Sequence, residues 1–279
     1  MAPGVVTPDR VVTIVQARCA SSRLPGKVLL PLSGATVLER MVERVGRARL
    51  GGAVVVATTT APADDAIEAV CRRAGIFSYR GHPTDLLDRH YQVARALGAN
   101  HIVKVPSDCA LIDPRVIDRV IAFYLAHRDR YDYVSNLHPP TYPDGNDVEI
   151  CSFGALEIAW REATRALDRE HTTPFLWDHP ERFRIGNVVW DTGLDLSISH
   201  RVVLDYAEDY EVIRRVADAL APSNAFFGVA EIARYLDEHP DVRRLNAGYR
   251  GVNWYRHHLT ELRTVSAADT RSVPEENSV

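Results

Sequence analysis

Short apolar runs alternate with segments of helical periodicity along the first half of the chain. Buried strands are predicted at runs rich in β-branched residues, namely Val11 to Val15, Ala53 to Ala57, Ile76 to Tyr79, His101 to Val105 and Tyr131 to Ser135. Helices are predicted between them, where apolar residues recur three and four positions apart, at about 36–45, 65–74, 84–97 and 114–127. Such alternation builds right-handed βαβ units, so the pattern predicts an α/β fold with a mostly parallel sheet.

Three of the predicted helices begin at a recognisable capping residue. Asp64 and Thr84 each precede a helical segment and can accept a hydrogen bond from its first free N–H groups. Asp113 followed by Pro114 is the strongest signal, because an acidic N-cap and a proline in the first helical position both favour a helix start.

The regular alternation ends after Asn136. Residues 137–192 contain several prolines and a less ordered series of patterns, which we interpret as an insertion or extension that carries substrate or dimer contacts. Val202 to Leu204 predicts a further strand, and helices are predicted at 207–220 and 229–238.

We expect residues 10–260 to form a single domain, which is a normal length for one α/β unit. The polar tail over 264–279 contains Pro274 and two glutamates, so we expect it to be disordered.

The composition is that of an ordinary soluble globular protein, with 46% of the 279 residues hydrophobic and 25% charged. The net charge of −4 argues against a broad nucleic-acid-binding face. No apolar run approaches the roughly 18–20 residues that span a bilayer, and residues 1–10 lack the layout of a signal peptide. The cysteines lie far apart, which argues against a zinc ribbon or a disulfide framework. We therefore expect a cytoplasmic enzyme or binding protein with no nucleic-acid or membrane partner.

Lysine is rare in this chain. All but two of the 33 basic residues are arginine, as a GC-rich genome would produce. The two exceptions are Lys27 and Lys104, and both lie beside other candidate site residues. An ammonium is a compact point charge, whereas a guanidinium is a planar fork, so a site that needs the point charge would retain lysine.

The loop after the first strand has the chemistry of a polyphosphate cradle. It places Arg18, Arg23 and Lys27 among small residues at the carboxyl end of a strand, which is where parallel sheets bind ligands. The spacing does not match a Walker A loop, and the chain contains no Gly-x-Gly-x-x-Gly. The alternative is a solvated basic loop.

Two aspartates follow other predicted strands. Asp108 closes the strand that carries Lys104, and Asp205 follows the strand predicted at 202–204. Carboxylates at the ligand edge suit a hard cation such as Mg²⁺. The alternatives are a turn residue for Asp108 and a helix N-cap for Asp205. Asp209 lies in the first turn of the next helix, where a structural role is expected.

The extension contains two further polar groups. Asp147 and Glu149 are two positions apart on a predicted strand and therefore share one face. Arg169, Glu170 and His171 form a dense polar cluster, for which a surface helix start is the alternative.

Taken together, these stretches resemble the cytidylyltransferase family that includes the spore-coat polysaccharide protein F group and the CMP-sugar synthetases. The resemblance covers roughly residues 10–258 in order. It is carried by the stretches 16–30, 57–59 with 64–65, 79–81 with 85–89, 108–109 with 111–114, 143–149, 169–175, 204–209 and 239–246.

The resemblance implies a Rossmann-like fold and an Mg²⁺-dependent transfer of CMP from CTP to an acceptor, with release of pyrophosphate. The acceptor would be a sugar acid, a sugar phosphate or a phosphonate, in polysaccharide biosynthesis, and the enzyme would be a homodimer. Arg18, Arg23 and Lys27 would be catalytic and hold the triphosphate, and Asp108 and Asp205 would hold the metal. The other implied nucleotide-binding residues are Ala17, Ser22, Thr58, Arg80 and Ser107. The implied substrate-binding residues are Lys104, Asp147, Glu149, Arg169, Glu170 and His171.

The chain departs from the family pattern near Asp108. The family usually has arginine at the position of Lys104, and a glycine and a proline where this chain has Ser107 and Ala110. These departures leave the acceptor open. The alternative functions are a nucleotide-sugar-dependent glycosyltransferase, whose usual Asp-x-Asp motif is missing at Ser107 to Ala110, and a non-catalytic nucleotide-binding protein.

Overall fold

A seven-stranded sheet in the order β5-β4-β1-β6-β8-β7-β9 forms the centre of the protein. The computed structural model describes residues 9–271. In chain order the strands are β1 (Val11–Gln16), β2 (Pro31–Leu32), β3 (Ala35–Thr36), β4 (Ala53–Thr59), β5 (Ser78–Gly81), β6 (His101–Pro106), β7 (Tyr133–Ser135), β8 (Glu149–Ser152) and β9 (Ile185–Asn187). Strands β2 and β3 form a separate two-stranded hairpin.

Helices cover both faces of this sheet. In chain order they are α1 (Val37–Val45), α2 (Asp65–Ala74), α3 (Leu86–Ala96), α4 (Pro114–Ala126), α5 (Phe153–Glu162), α6 (Ala166–His171), α7 (Pro174–Trp177), α8 (Ala207–Leu220), α9 (Val229–Glu238) and α10 (Pro240–Arg244). The predicted α/β fold, with a mostly parallel sheet flanked by helices, is confirmed. Among the described residues, no helix is long and apolar enough to cross a membrane.

Alternation along the strands divides the core between the two faces. Val15 and Val105 belong to the buried cluster on one face, which includes residues of α1, α2 and α4. Val12, Ile14 and Ile102 belong to the cluster on the other face, which includes residues of α3 and α5. Because residues of β1 pack on both faces, the strand is apolar at nearly every position, with Thr13 as the exception within Val11 to Val15.

The extension at 137–192 continues the central sheet. Strand β8 lies between β6 and β7 and is antiparallel to both, with Glu149 opposite Lys104 and opposite Ser135. Strand β9 pairs in parallel with β7 at the sheet edge. Since β8 begins where the parallel strand β6 ends, the chain brings Glu149 to the ligand-binding edge of the sheet.

Two of the predicted capping residues have different roles in the structure. Asp85, not Thr84, caps α3 by accepting the N–H of Asp88. Asp64 precedes α2, but its carboxylate accepts the N–H of Cys19 at 2.7 Å and the hydroxyl of Thr59. Asp64 therefore ties the loop after β1 to the end of β4. Asp113 caps α4 as predicted, and Pro114 is the first helical residue.

The strand predicted at 202–204 is wrong within the described chain. Val202 donates its N–H to the carbonyl of Asp144 at 2.8 Å, and Leu204 donates to the carbonyl of Asp108 at 2.9 Å. The segment is apolar because it is buried, but its backbone bonds go to two loops. Apolar patterning alone does not separate this case from a strand.

The tail predicted to be disordered is placed by the structure over residues 264–271. Thr264 donates its N–H and its hydroxyl to Asp178, and the Thr270 hydroxyl accepts the N–H of Asn253. These polar contacts attach the described part of the tail to the domain, and the predicted disorder of 264–279 stays a prediction. Two ranges, 1–8 and 272–279, lie outside the described residues. The first holds most of the segment that we predict to lack the layout of a signal peptide, and the second is the end of the polar tail.

Candidate active site

A cleft of about 290 Å³ opens at the carboxyl edge of the parallel strands. Its walls come from the loop after β1, the loop after β6, the approach to β8 and the segment before α8. It brings together most of the predicted site residues: Ala17, Arg18, Ser22, Arg23, Lys27, Lys104, Ser107, Asp108, Asp147, Glu149, Glu170, His171 and Asp205.

Lys27 links the two predicted metal carboxylates. Its ammonium donates to the carbonyl of Leu204 at 2.7 Å, to Asp205 at 2.9 Å and to Asp108 at 3.4 Å. The preceding Gly26 has φ of +68°, a left-handed conformation that suits glycine and starts the short 3₁₀ turn at Lys27. Burial alone would lower the pKa of Lys27, but the Asp108 and Asp205 carboxylates outweigh it and raise the pKa.

Asp205 is held in its ionised form. Burial alone would raise the pKa of Asp205, but the charges of Lys27 and Arg23 lower it to about 2. Arg23 donates to the same carboxylate at 2.7 Å. Asp205 is thus a fixed negative charge that faces the cleft.

A buried network beneath Asp205 fixes its backbone. Arg201 donates to Asp209 through two nitrogens, at 2.8 and 2.9 Å, and to Asp144 at 2.8 Å. Asp209 in turn accepts the N–H groups of Asp205 and Tyr206, each at 3.0 Å. The structural role predicted for Asp209 is confirmed, and Arg201 is a site residue that the sequence reasoning missed.

Further cations line the cleft beside Lys27. Arg18 pairs with Glu170 at 3.3 Å, and both side chains are largely exposed. Arg89 is buried, and it donates to the carbonyl of His82 at 3.2 Å. Its Nε has no partner among the described residues, and burial lowers the pKa of Arg89 to about 10. Arg89 was missed as a site residue, although its position four residues after the Asp85 cap places it in the first turns of α3.

The opposite end of the cleft is rich in carboxylates. Lys104 is bonded to Glu149, which also accepts the Tyr133 hydroxyl at 2.6 Å. Burial would raise the pKa of Glu149, but Lys104 lowers it. Asp147 precedes β8 instead of lying on it, yet both acids reach the cleft as predicted.

His171 forms part of the wall through an aromatic stack. Its ring lies 3.6 Å from that of Trp254, with an interplanar angle of 15°. Burial lowers the pKa of His171 to about 3, so the ring is neutral at physiological pH. The surface helix start considered for this cluster is therefore wrong for His171.

Three predicted site residues lie away from the cleft wall. Arg80 pairs with Asp65 at 2.7 Å and with Glu68 at 2.8 Å, and these bonds direct it toward α2. Arg169 pairs with Asp85 at 3.0 Å. Thr58 is buried in β4. Ion pairs hold Arg80 and Arg169, and strand burial holds Thr58, while their roles in nucleotide or substrate binding stay predictions.

The donor set at Asp108 and Asp205 fits a magnesium ion delivered with a nucleotide. Within residues 9–271, no three or more His, Cys, Asp or Glu side chains are grouped to hold a metal. Mg²⁺, however, is commonly bound by one or two carboxylates together with substrate phosphates. That both acids reach the Lys27 ammonium shows that they can share one cation.

Comparisons with known proteins match most of the chain. The model of a family described as cytidylyltransferase matches residues 12–231. The spore coat polysaccharide biosynthesis protein SpsF of Bacillus subtilis is 28% identical over 83% of this chain and 96% of that protein. The 3-deoxy-manno-octulosonate cytidylyltransferase of Geobacter sulfurreducens is 41% identical over 40% of this chain and 44% of that protein.

A solved structure is similar over nearly its whole length. A cytidylyltransferase from Leptospira borgpetersenii serovar Hardjo-bovis has a TM-score of 0.80 and 28% identity, covering 84% of this chain and 97% of that one. The segment matched by the family model contains Lys27, Asp108 and Asp205, the residues at the centre of the cleft.

Proposed function

The chain belongs to the cytidylyltransferase family of nucleotidyltransferases, and we propose that it transfers CMP from CTP to a small-molecule acceptor, with Mg²⁺ as cofactor and pyrophosphate as the second product. The acceptor class is a sugar acid, a sugar phosphate or a phosphonate. The relatives support this choice, since one is named as a 3-deoxy-manno-octulosonate cytidylyltransferase and another as a polysaccharide biosynthesis protein.

One observation carries the proposal. Lys27 contacts both Asp108 and Asp205 in a cleft that also contains Arg18, Arg23 and Arg89. A triphosphate with a bound cation needs both kinds of group, carboxylates for the cation and fixed positive charges for the phosphate oxygens.

The reaction exchanges one bond to phosphorus for another. An oxygen of the acceptor forms a bond to the α-phosphorus of CTP, and the bond from that phosphorus to the bridging oxygen of the β-phosphate breaks. Pyrophosphate leaves with the electron pair, and a hydroxyl acceptor also loses its proton. Such transfers depend mainly on positioning and on stabilisation of charge.

The cationic residues supply that stabilisation. Lys27 and Arg23 would bind the departing pyrophosphate, and Arg18 and Arg89 would orient the phosphate chain. All four line the cleft. Asp108 and Asp205 would hold Mg²⁺, which when bound supplies neutralisation of charge on the phosphate oxygens. The network of Arg201 and Asp209 keeps Asp205 in position.

The alternative functions lack comparable support. A nucleotide-sugar-dependent glycosyltransferase usually offers an Asp-x-Asp pair, and the sequence at Ser107 to Ala110 lacks the second acid. A protein that only binds a nucleotide would not need two carboxylates and a lysine in contact at one point.

The test is an assay of pyrophosphate release with CTP, UTP, ATP and GTP, with and without Mg²⁺, across sugar-acid, sugar-phosphate and phosphonate acceptors. We expect release that requires CTP, Mg²⁺ and one acceptor class. Turnover with another nucleoside triphosphate in preference to CTP, or hydrolysis of nucleotide sugars instead, would contradict the proposal.

A further inference from the structure

A second cavity of about 140 Å³ opens from the cleft and is here called the side chamber. It shares Asp147, Glu149 and Trp254 with the wall of the cleft, so the two spaces adjoin. An acceptor whose reacting oxygen lies in the cleft can therefore extend its remaining atoms into the side chamber.

Aromatic rings form much of the chamber wall. His138 and Trp177 are 4.6 Å apart between ring centroids, Trp177 and Trp254 are 6.4 Å apart, and Trp254 and Tyr255 are 5.8 Å apart. The hydroxyl of Tyr142, another wall residue, is buried and has no hydrogen-bond partner among the described residues. Aromatic faces beside free polar groups suit a ring that carries hydroxyls, and they also attract cations.

The charge of the chamber wall is negative. Lys104 is the only lysine or arginine that lines it within residues 9–271, and its ammonium is bonded to Glu149. The carboxylate of Asp147 has no hydrogen-bond or ion-pair partner in the described part of the chain. Asp269 accepts the N–H and the hydroxyl of Ser266 at one carboxylate oxygen, and these bonds do not cancel its charge. Neither Asp147 nor Asp269 thus forms an ion pair with a described residue.

Asp147 lies among other carboxylates of the cleft and the chamber. Burial, followed by the carboxylates of Asp144, Asp108 and Glu149, raises the pKa of Asp147 well above its usual range. A cation placed beside Asp147 would relieve this penalty, whereas a second anion would increase it.

Part of the chamber wall comes from residues outside the matched family segment. Gly251, Asn253, Trp254, Tyr255 and Asp269 all lie beyond residue 231, where the family match ends. The family match therefore does not cover the whole chamber wall.

We propose that the side chamber binds the non-reacting part of the acceptor and selects a polyhydroxylated ring that carries an amine, in preference to one that carries a carboxylate or phosphate. Asp147 is the residue that recognises the amine. An anionic group that bears or adjoins the attacking oxygen stays in the cleft, whose wall is richer in arginine than that of the side chamber. This inference rests on the proposed function, because it takes the cleft as the place of reaction.

The test compares three matched probes, D-glucosamine, D-glucose and D-glucuronate, titrated into the full chain and followed by saturation-transfer NMR. We expect glucosamine to bind at least about tenfold more tightly than glucose, and glucuronate more weakly than either. The Asp147→Asn variant removes the preference for the amine. The exposed Asp129→Asn variant, which removes the same charge elsewhere on the surface, retains it.

Binding of glucuronate as tight as that of glucosamine, or no binding of any probe, overturns the inference. If the Asp147→Asn variant does not fold, the affinities of the three probes for the wild-type chain decide whether the inference holds. CTP is titrated in parallel, with Mg²⁺. If CTP binds but the sugars show no amine preference, only the chamber inference fails, whereas failure of CTP to bind contradicts the proposed function.

Discussion

The ammonium of Lys27 lies 2.9 Å from the carboxylate of Asp205, although 178 positions separate the two residues. Asp108 approaches the same ammonium at 3.4 Å. This contact joins the loop after β1 to the segment before α8 and concentrates the charge of the cleft at one point. Its consequences are testable in activity, in metal binding and in stability.

Removal of either partner at this point is expected to slow the reaction. Lys27→Met loses stabilisation of the departing pyrophosphate, and Asp108→Ala loses a carboxylate for the metal. We expect each to lower turnover at least about a hundredfold in the pyrophosphate-release assay. Near-normal turnover in a variant whose circular dichroism matches the wild type would refute the corresponding role.

Lys27 also competes with a metal ion for the two acids when no nucleotide is bound. Because Lys27→Met removes this competing cation, the variant is expected to bind Mn²⁺ alone more tightly than the wild type does. Electron paramagnetic resonance of free Mn²⁺ measures the difference, and Arg214→Met, which alters a surface arginine, serves as the matched control. Equal Mn²⁺ affinity in wild type and Lys27→Met would show that the acids do not form the site.

Arg201 is expected to be essential for stability, since it is buried and bonded to Asp144 and Asp209. Replacement by methionine leaves these carboxylates without their buried counter-charge, which costs about 3–5 kcal/mol in the free energy of unfolding. Urea denaturation measures this change. Arg214→Met breaks only exposed pairs with Glu211 and Asp218 and is expected to cost about 0–1 kcal/mol. Similar losses in the two variants would contradict the structural role of Arg201.

His90 makes stability depend on pH. It is fully buried, and burial lowers its pKa from 6.5 to about 3. The unfolded chain therefore binds this proton more readily, so stability is lost as pH falls from 6.5 toward 3. Each such group contributes a slope of up to about 1.4 kcal/mol per pH unit. His90→Gln is expected to flatten the pH dependence of the unfolding free energy, and an unchanged slope would show that His90 is protonated in the folded state.

The first half of the fold follows from local patterns. Val12 and Val15 pack on opposite faces of the sheet, and α2 has the predicted bounds Asp65–Ala74. Both features follow from the spacing of apolar residues within the element itself. The antiparallel insertion of β8 beside β6 was not predictable in this way. The residues of a four-residue strand do not determine which strand it pairs with. The pairing depends on contacts between distant parts of the chain.

Some residues of the candidate site could likewise be predicted from local sequence patterns, and others could not. Asp108 and Asp205 were predictable because each follows an apolar segment near the ligand-binding edge, and Lys27 because it lies in the basic loop after β1. Arg201 and Arg89 were missed, since a buried arginine is recognised only from the charges that surround it in the folded protein. Arg80 pairs with Asp65 and Glu68 of α2, partners that the sequence reasoning did not consider.

The most direct test of the account is an anomalous-scattering crystal structure of the enzyme with CTP and Mn²⁺. We predict one manganese peak that contacts the carboxylates of both Asp108 and Asp205 and the phosphates of CTP, with the Lys27 ammonium moved onto a phosphate oxygen. A triphosphate bound away from the Arg18 to Lys27 loop, or a manganese ion that touches neither aspartate, would contradict it.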